Sequence, residues 1–282
     1  MRTKRTILSA IAASAVAATT ALIPVPAHAV VGGEDVGVYE HPFLVSVQGR
    51  NGEHLCGGTL LNSVNVVTAA QCVDGASPDD LRVSVGDHDL NSNSETPYRV
   101  VVDIASITAH PRYDSETVDN DIALIELADP VEFNRAVRPA PLATSVASDE
   151  DAALRLNAPV YAIGWGTTSQ GGEASDIPLV GRMGALNTED CRASSNYGAD
   201  LTGNMFCASA PGVGTCQGDA GGPVGSFLNP DGSRRATPRL IGVVSWGYGC
   251  AQPNYPDVNT KLDNYVVWIA DNLKRDHRLW EV

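Results

Sequence analysis

A glycine-rich loop, Cys216-Gln217-Gly218-Asp219-Ala220-Gly221-Gly222-Pro223, is the stretch of this chain best placed to do chemistry. Glycine adopts backbone conformations that other residues rarely reach, and it lets another group approach the main chain closely. Such a loop presents its own backbone N–H groups. Its central side chains are the carboxylate of Asp219 and the methyl of Ala220, and a methyl group cannot attack a carbonyl.

Further short motifs follow one another along the chain: Val30-Val31-Gly32-Gly33, Cys56-Gly57-Gly58, Thr68-Ala69-Ala70-Gln71-Cys72, Asp121-Ile122-Ala123-Leu124, Gly164-Trp165-Gly166 and Ser245-Trp246-Gly247. Together with the glycine loop, these motifs resemble those of the trypsin-like (chymotrypsin-family, peptidase S1) serine proteases. The resemblance covers the chain from Val30 to about Lys274. The resemblance implies an all-β fold of two six-stranded antiparallel β-barrels with a C-terminal helix.

The resemblance assigns the catalytic triad to positions 71, 121 and 220, where the family has His, Asp and Ser. Only Asp121 is kept, because Gln71 has no basic nitrogen near neutral pH and Ala220 has no hydroxyl. We therefore predict a catalytically inactive homologue, a pseudoprotease that is not an enzyme. Gln71 either donates its amide to Asp121 or points into solvent. The implied oxyanion hole consists of the N–H groups of Gly218 and Ala220, and Ser245 is expected to hydrogen-bond Asp121.

The substrate cleft of the family is predicted to persist. Ser245-Trp246-Gly247 matches the strand on which the family lays a peptide backbone. Trypsin-like members carry an aspartate on the pocket floor, and that position is Gly214 here. Asp257 falls where the family usually has a glycine of the pocket wall. It therefore either faces the pocket, where it would accept a Lys or Arg side chain, or is an exposed turn residue after Pro256.

Residues 1–29 have the pattern of a secretory signal peptide, with Arg2, Lys4 and Arg5 before an apolar run and Ala27-His28-Ala29 at its end. The apolar run is shorter than the roughly 20 residues that span a bilayer, so a membrane anchor is the weaker interpretation. Cleavage after Ala29 would free Val30. In the family such a terminus forms a buried ion pair with the loop aspartate, here Asp219; the alternative is a disordered N-terminal tail.

Two residues of the first barrel match the family's zymogen contacts. Ser46 and His54 correspond to residues that hold the loop aspartate before activation, so in unprocessed chains His54 is expected to contact Asp219; the alternative is a packed strand residue.

Six cysteines in a secreted chain predict three disulfides, and spacing alone leaves 15 connectivities. The family resemblance implies one of them: Cys56 with Cys72, Cys191 with Cys207 and Cys216 with Cys250. Apart from one candidate calcium loop, we expect no metal or cofactor site. Asp87, Asp89 and Glu95 resemble the family's calcium loop, although a solvated acidic turn is the alternative.

Short β-branched segments separated by turns predict the strands of the two barrels. We expect a trypsin-like domain over 30–275, with barrels at about 30–139 and 140–262, a helix over 262–274 and a tail over 276–282. Val266, Val267, Ile269 and Leu273 recur near helical spacing on the last element.

The formal net charge of −14 argues against nucleic acid and anionic membranes as partners. Taken together, the sequence predicts a secreted, extracellular and monomeric serine protease homologue. It would bind an extracellular protein, a peptide or a protease inhibitor through the cleft, as a decoy or competitor. The alternatives are a secreted trypsin-like endopeptidase whose recorded sequence is an inactivated variant, and an adhesive protein that uses loops outside the cleft.

Overall fold

The structure, a computed structural model, describes residues 30–92, 95–142, 152–229 and 232–273. The predicted signal peptide at 1–29 and the predicted tail at 276–282 lie outside these residues. No helix within the described ranges is long and apolar enough to cross a membrane.

The first half of the chain forms a closed antiparallel barrel in the order β2-β3-β4-β7-β6-β5. Val45, Val47, Val66 and Val83 point inward from its strands and are fully buried, as expected where side chains alternate between the two faces of a strand. The strands are β2 (Leu44–Gly49), β3 (His54–Leu60), β4 (Asn65–Thr68), β5 (Leu81–Val85), β6 (Val100–Ala109) and β7 (Ala123–Leu127).

A second barrel follows, in which β9, β10, β13, β12, β11 and β8 are hydrogen-bonded in turn and β8 pairs again with β9 to close the ring. All of these pairings are antiparallel. Its strands are β8 (Pro159–Gly164), β9 (Leu179–Leu186), β10 (Met205–Ser209), β11 (Pro223–Leu228), β12 (Arg234–Trp246) and β13 (Asp257–Lys261). A short helix, α1 (Thr188–Ser194), lies between β9 and β10. The predicted all-β fold of two six-stranded barrels is confirmed.

The N-terminal segment departs from the predicted division of the chain. Strand β1 (Glu34–Asp35) pairs with β9, and Val31 forms a bridge with Gly214, so residues 31–35 add to the second barrel. Sequence patterning cannot show this, because two strand residues carry no period and their partners lie about 150 residues away.

The last element is a helix that begins tightly wound. Residues Leu262–Tyr265 form a 3₁₀ turn, and α2 runs over Val266–Asn272. Val266 and Ile269 are buried, but Val267 is 65% exposed. The predicted apolar face is therefore narrower than expected: Val267 falls about 100° from Val266 around the helix axis and points into solvent.

Candidate functional site

Both barrels contribute to one cleft. Gln71 lies in a 3₁₀ turn just after β4, and Asp121 precedes β7, while the glycine loop joins β10 to β11. The cleft is a cavity of about 380 Å³ that Gln71, Ala220, Ser245, Trp246 and Asp257 help to line. Residues distant in sequence thus meet where the barrels face each other.

Gln71 is held against Asp121 by two hydrogen bonds. Its backbone N–H donates to Asp121 Oδ1 at 2.9 Å, and its side-chain Nε2 donates to Oδ2 at 2.6 Å. The other Nε2 hydrogen reaches the carbonyl oxygen of Ser245 at 2.8 Å. Of the two predicted orientations of Gln71, the structure has the one that binds Asp121.

Asp121 is 1% exposed. Besides the two hydrogen bonds from Gln71, its carboxylate accepts one from Ser245, whose Oγ donates to Oδ2 at 2.6 Å as expected. Burial raises the pKa of this carboxyl, and the hydrogen bonds from Ser245 and Gln71 act in the opposite direction by stabilising the charged form. The carboxylate is therefore desolvated but well supplied with donors.

The glycine loop is shaped by contacts that leave no room for side chains. Gly221 has φ +82°, and a Cβ added there would lie 2.2 Å from Thr68 Oγ1. The carbonyl of Ala220 accepts a hydrogen bond from Gly57 N at 2.8 Å, which fixes the loop to the first barrel. Within the described residues, the N–H groups of Gly218 and Ala220 make no backbone hydrogen bond, and both residues line the cleft.

Asp219, in the middle of this loop, is fully buried. Its Oδ1 accepts from Gly166 N and its Oδ2 from Cys216 N, both at 2.9 Å. Burial raises its pKa to about 7, against the opposing effect of these two bonds. A Cβ on Gly166 would lie 2.5 Å from Asp219 Cγ, so the glycines of Gly164-Trp165-Gly166 make room for the carboxylate. Sequence analysis found this motif without finding that role.

Val30 is fully buried, with its side chain against Gly181. Gly33 N donates to the carbonyl of Val30 at 2.8 Å, and the next residue, Val31, accepts from Gly214 N at 3.1 Å. The pairing of a Val30 ammonium with Asp219 stays a prediction.

His54 touches the loop at a point other than its aspartate. Its Nδ1 is 2.8 Å from Ser46 Oγ, and its Nε2 is 3.0 Å from the carbonyl oxygen of Gly218. Because a carbonyl can only accept, Nε2 carries the proton and donates to Gly218. Burial lowers the pKa of His54, which favours this neutral form. The first barrel therefore supports the loop through Gly218 rather than Asp219.

Asp257 is one of the residues that line the cleft and is 5% exposed. Its Oδ2 accepts from Thr215 N at 2.6 Å, while a Cβ on Gly214 would lie 3.0 Å from its Oδ1. Burial, together with the nearby charge of Asp219, raises the pKa of Asp257 to about 7, although bonds from Thr215 oppose this. Of the two predicted positions of Asp257, an exposed turn is wrong.

An aromatic cluster flanks the cleft beside Trp246. The ring centroid of Trp246 is 4.9 Å from that of Tyr197 and 5.7 Å from that of Tyr248. Tyr255 completes the cluster, 5.5 Å from Tyr197. Gly247 follows β12 and is exposed. Sequence analysis missed the tyrosines, because they come from two separate loops, one between α1 and β10 and one between β12 and β13, without a common spacing.

Three disulfides are present: Cys56–Cys72, Cys191–Cys207 and Cys216–Cys250. This is the pairing that the family resemblance implied. The first lies beside Gln71, and the third joins the glycine loop to the segment after β12, so both sides of the cleft are crosslinked.

The three acidic residues of the expected calcium loop do not converge on one point. Asp87 accepts from Ser84 Oγ and Arg99 Nε, each at 2.7 Å, and Glu95 accepts from Asp89 N at 2.7 Å. No group of metal-ligating side chains occurs in the described ranges. Because these carboxylate oxygens already bind protein donors, the residues do not fit Ca²⁺, which takes six to eight oxygen ligands.

Two closed antiparallel barrels, with a cleft where a buried aspartate faces a glycine loop, define the two-barrel class of trypsin-like fold. The family model described as Trypsin matches residues 30–269. The chain therefore belongs to the trypsin family.

Relatives match over most of the chain. Trypsin of Phaedon cochleariae is 37% identical over 247 residues, which cover 86% of this chain and 87% of that protein. Trypsin of Xenopus laevis is 36% identical, covering 86% and 90%. A bacterial relative, trypsin of Saccharopolyspora erythraea, is 35% identical, covering 84% and 94%.

These relatives correct one prediction made from the sequence. The expectation that the protein is not an enzyme is contradicted, because relatives at 34–37% identity carry the name trypsin, which is that of a serine endopeptidase. The expectation rested on the side chains of Gln71 and Ala220 alone. The match instead spans both barrels and the whole cleft between them.

Proposed function

We propose that this protein binds an extended segment of an extracellular protein, a peptide or a protease inhibitor in the cleft, with a basic side chain of the ligand directed at Asp257. The observation that carries the proposal is that the buried residue Asp257 lines the cavity. A buried carboxylate without a cation is costly, and a bound ammonium or guanidinium would offset that cost.

The rim of the cleft supports the binding of a peptide backbone. Strand β12 ends at Trp246, and Gly247 beyond it is exposed and carries no side chain that would block a ligand strand. The pairing of β11 with β12 ends at Val243, so a peptide can add to the last residues of β12 on that side through main-chain hydrogen bonds, as in β-strand addition. The adjacent aromatic cluster offers an apolar surface to neighbouring side chains of the ligand.

An extracellular location is part of the proposal. Three disulfides suit an oxidising compartment, and residues 1–29 have the composition of a secretory signal. Sequencing the N-terminus of the protein recovered from culture medium tests this step. We expect Val30 as the first residue, and retention of residues 1–29 would reject it.

A second candidate function is endopeptidase activity, which the names of the relatives favour. In that case the sequence is a variant of a secreted trypsin-like protease at positions 71 and 220. The two candidates share the same cleft and the same contact with Asp257. They differ in whether the bound segment is cut.

Titration with benzamidine, an aromatic amidinium, tests the binding function. We expect saturable binding to the wild type and at least tenfold weaker binding to Asp257→Asn, since loss of one charged hydrogen-bond partner costs about 1.5–3 kcal/mol. Asp176→Asn is a matched control, because Asp176 does not line the cleft. Equal affinities of the wild type and Asp257→Asn would reject the role of this pocket.

A further inference from the structure

We propose that Gln71 Oε1 is a fixed hydrogen-bond acceptor for the ligand, so that the cleft selects a segment that continues as an amide over one that ends in a carboxylate. The proposal rests on the proposed binding function and specifies the chemistry of the ligand at the middle of the cleft.

The orientation of the Gln71 amide follows from its partners. A primary amide has two N–H donors on Nε2, and here both are used, one on Asp121 Oδ2 at 2.6 Å and one on the Ser245 carbonyl at 2.8 Å. Both partners are acceptors, so exchanging the nitrogen and oxygen of the amide would place oxygen against oxygen. The oxygen atom must therefore point away from Asp121 and Ser245.

Oε1 is left open to the cleft. Within the described residues it accepts no hydrogen bond, and Gln71 is exposed and lines the cavity together with Ala220. The backbone N–H of Gln71 also donates to Asp121 Oδ1 at 2.9 Å, so main chain and side chain are both fixed. Because little rotamer freedom is left to lose on binding, this acceptor is preorganised.

The two kinds of ligand differ in what they bring to Oε1. An amide at this point supplies an N–H donor, whereas a terminal carboxylate has two oxygens and no hydrogen. The N–H groups of Gly218 and Ala220 can satisfy one carboxylate oxygen, but the other would face Oε1, with the buried charge of Asp121 behind it. That second oxygen would lose hydration without gaining a donor, which disfavours the carboxylate ligand.

Calorimetry with two peptides measures this selection. One is acetyl-Ala-Ala-Lys N-methylamide and the other is acetyl-Ala-Ala-Lys with a free carboxylate, so both present the same lysine to Asp257. We expect the amide to bind at least tenfold more tightly, which corresponds to about one lost hydrogen bond. Mass spectrometry at the end of each titration checks that the amide peptide is intact.

Two variants distinguish an effect of the Gln71 Oε1 acceptor from general repulsion of a carboxylate by an acidic protein. Gln71→Met keeps the net charge and the approximate length of the side chain but has no acceptor oxygen, and we expect the preference to fall to threefold or less. Gln170→Met is the matched control on an exposed glutamine that does not line the cavity, and it should keep the wild-type preference.

Gln71→His gives an independent readout should the methionine variant fail to fold. Protonation of the imidazole turns its outward nitrogen into a donor, so the preference for the amide should shrink as the pH falls from 8 to 6. The wild-type preference should stay constant over that range, because titration of Asp257 affects both lysine peptides alike.

The outcomes distinguish the role of Oε1 from the proposed binding function of the cleft. Tight binding of both peptides with equal affinity to the wild type would overturn the role of Oε1 while supporting the cleft as a binding site. A preference unchanged in Gln71→Met would overturn it as well. If neither peptide binds, the proposed function fails, and the inference fails with it.

Discussion

The carboxylate of Asp257 faces the space that a side chain on Gly214 would occupy. A Cβ built on Gly214 would lie 3.0 Å from Asp257 Oδ1, although the two residues are 43 positions apart and belong to different segments of the second barrel. A pocket that has no acid at position 214 thus receives one from the neighbouring strand β13. This position of the carboxylate is the basis of the proposal that the cleft binds a cation without an aspartate on its floor.

The affinity of the pocket for a cation should depend on pH. Burial raises the pKa of Asp257 to about 7, so the carboxyl is mostly ionised at pH 8 and mostly neutral at pH 6. Only the ionised form attracts benzamidine, and the apparent affinity scales with its population. We expect binding to weaken about tenfold from pH 8 to pH 6 in calorimetric titrations. The residual binding of Asp257→Asn should be independent of pH, and a flat profile for the wild type would contradict the assignment.

The free N-terminus at Val30 should stabilise the fold in a pH-dependent way. Burial raises the pKa of Asp219 to about 7 from 3.8, so an unpaired Asp219 contributes stability below pH 3.8 that is lost as the pH rises to 7. A nearby ammonium would offset this loss. We expect a chain beginning at Val30 to be about 3–5 kcal/mol more stable at pH 7 than one with an additional alanine before Val30.

Urea unfolding of both chains at pH 4, 5.5 and 7 measures the effect. The difference in the free energy of unfolding should be small at pH 4 and grow toward pH 7. Equal stabilities at pH 7 would show that the terminus and Asp219 do not pair.

A methyl group at Gly166 should destabilise the protein. It would meet Asp219 Cγ at 2.5 Å, and this buried carboxylate is held by two backbone donors, so relief requires the loop to move. Overpacking of this kind costs roughly 1–3 kcal/mol. Gly203→Ala is the matched control, since a Cβ there would meet nothing within 4 Å. Urea midpoints should fall for Gly166→Ala only, and similar midpoints for both variants would refute the packing argument.

The cleft should support covalent labelling when the two triad positions are restored. Asp121 is oriented by Ser245, and Gly218 and Ala220 line the cavity with N–H groups that make no backbone hydrogen bond within the described residues, so a histidine and a serine would enter a formed site. We expect a fluorophosphonate probe to label Gln71→His/Ala220→Ser about 10²–10⁴ times faster than Ala220→Ser alone, which is the usual contribution of a general base. Equal rates for the two variants would mean that position 71 and Asp121 do not act together.

Much of this architecture is readable from the sequence. Short β-branched segments predicted the strands, because a strand alternates its side chains over a few residues, and a glycine marks a tight turn or a close approach. The arrangement of the strands in two barrels was implied by the family resemblance. The contact of Gln71 with Asp121 was one of two predicted orientations, and the resemblance had placed the two positions side by side. Local patterns of this kind depend only on neighbouring residues.

What the sequence left open depends on contacts between distant segments. Asp257 had two possible positions, because nothing near Pro256 indicates which way its side chain points. The pairing of β1 with β9 and the space that Gly166 leaves for Asp219 are likewise set by residues far apart in the chain. The expectation that the protein is not an enzyme was wrong, because it rested on the side chains at positions 71 and 220, whereas the family match spans residues 30–269.

A crystal structure of the wild-type protein with benzamidine tests the central claim most directly. The account predicts the amidinium inside the cleft, with one nitrogen within about 3 Å of Asp257 Oδ1, a normal charge-assisted hydrogen-bond distance. It also predicts that Oδ2 keeps its bond from Thr215 N. An amidinium bound elsewhere, or a cleft that stays without it at saturating concentration, would contradict the account.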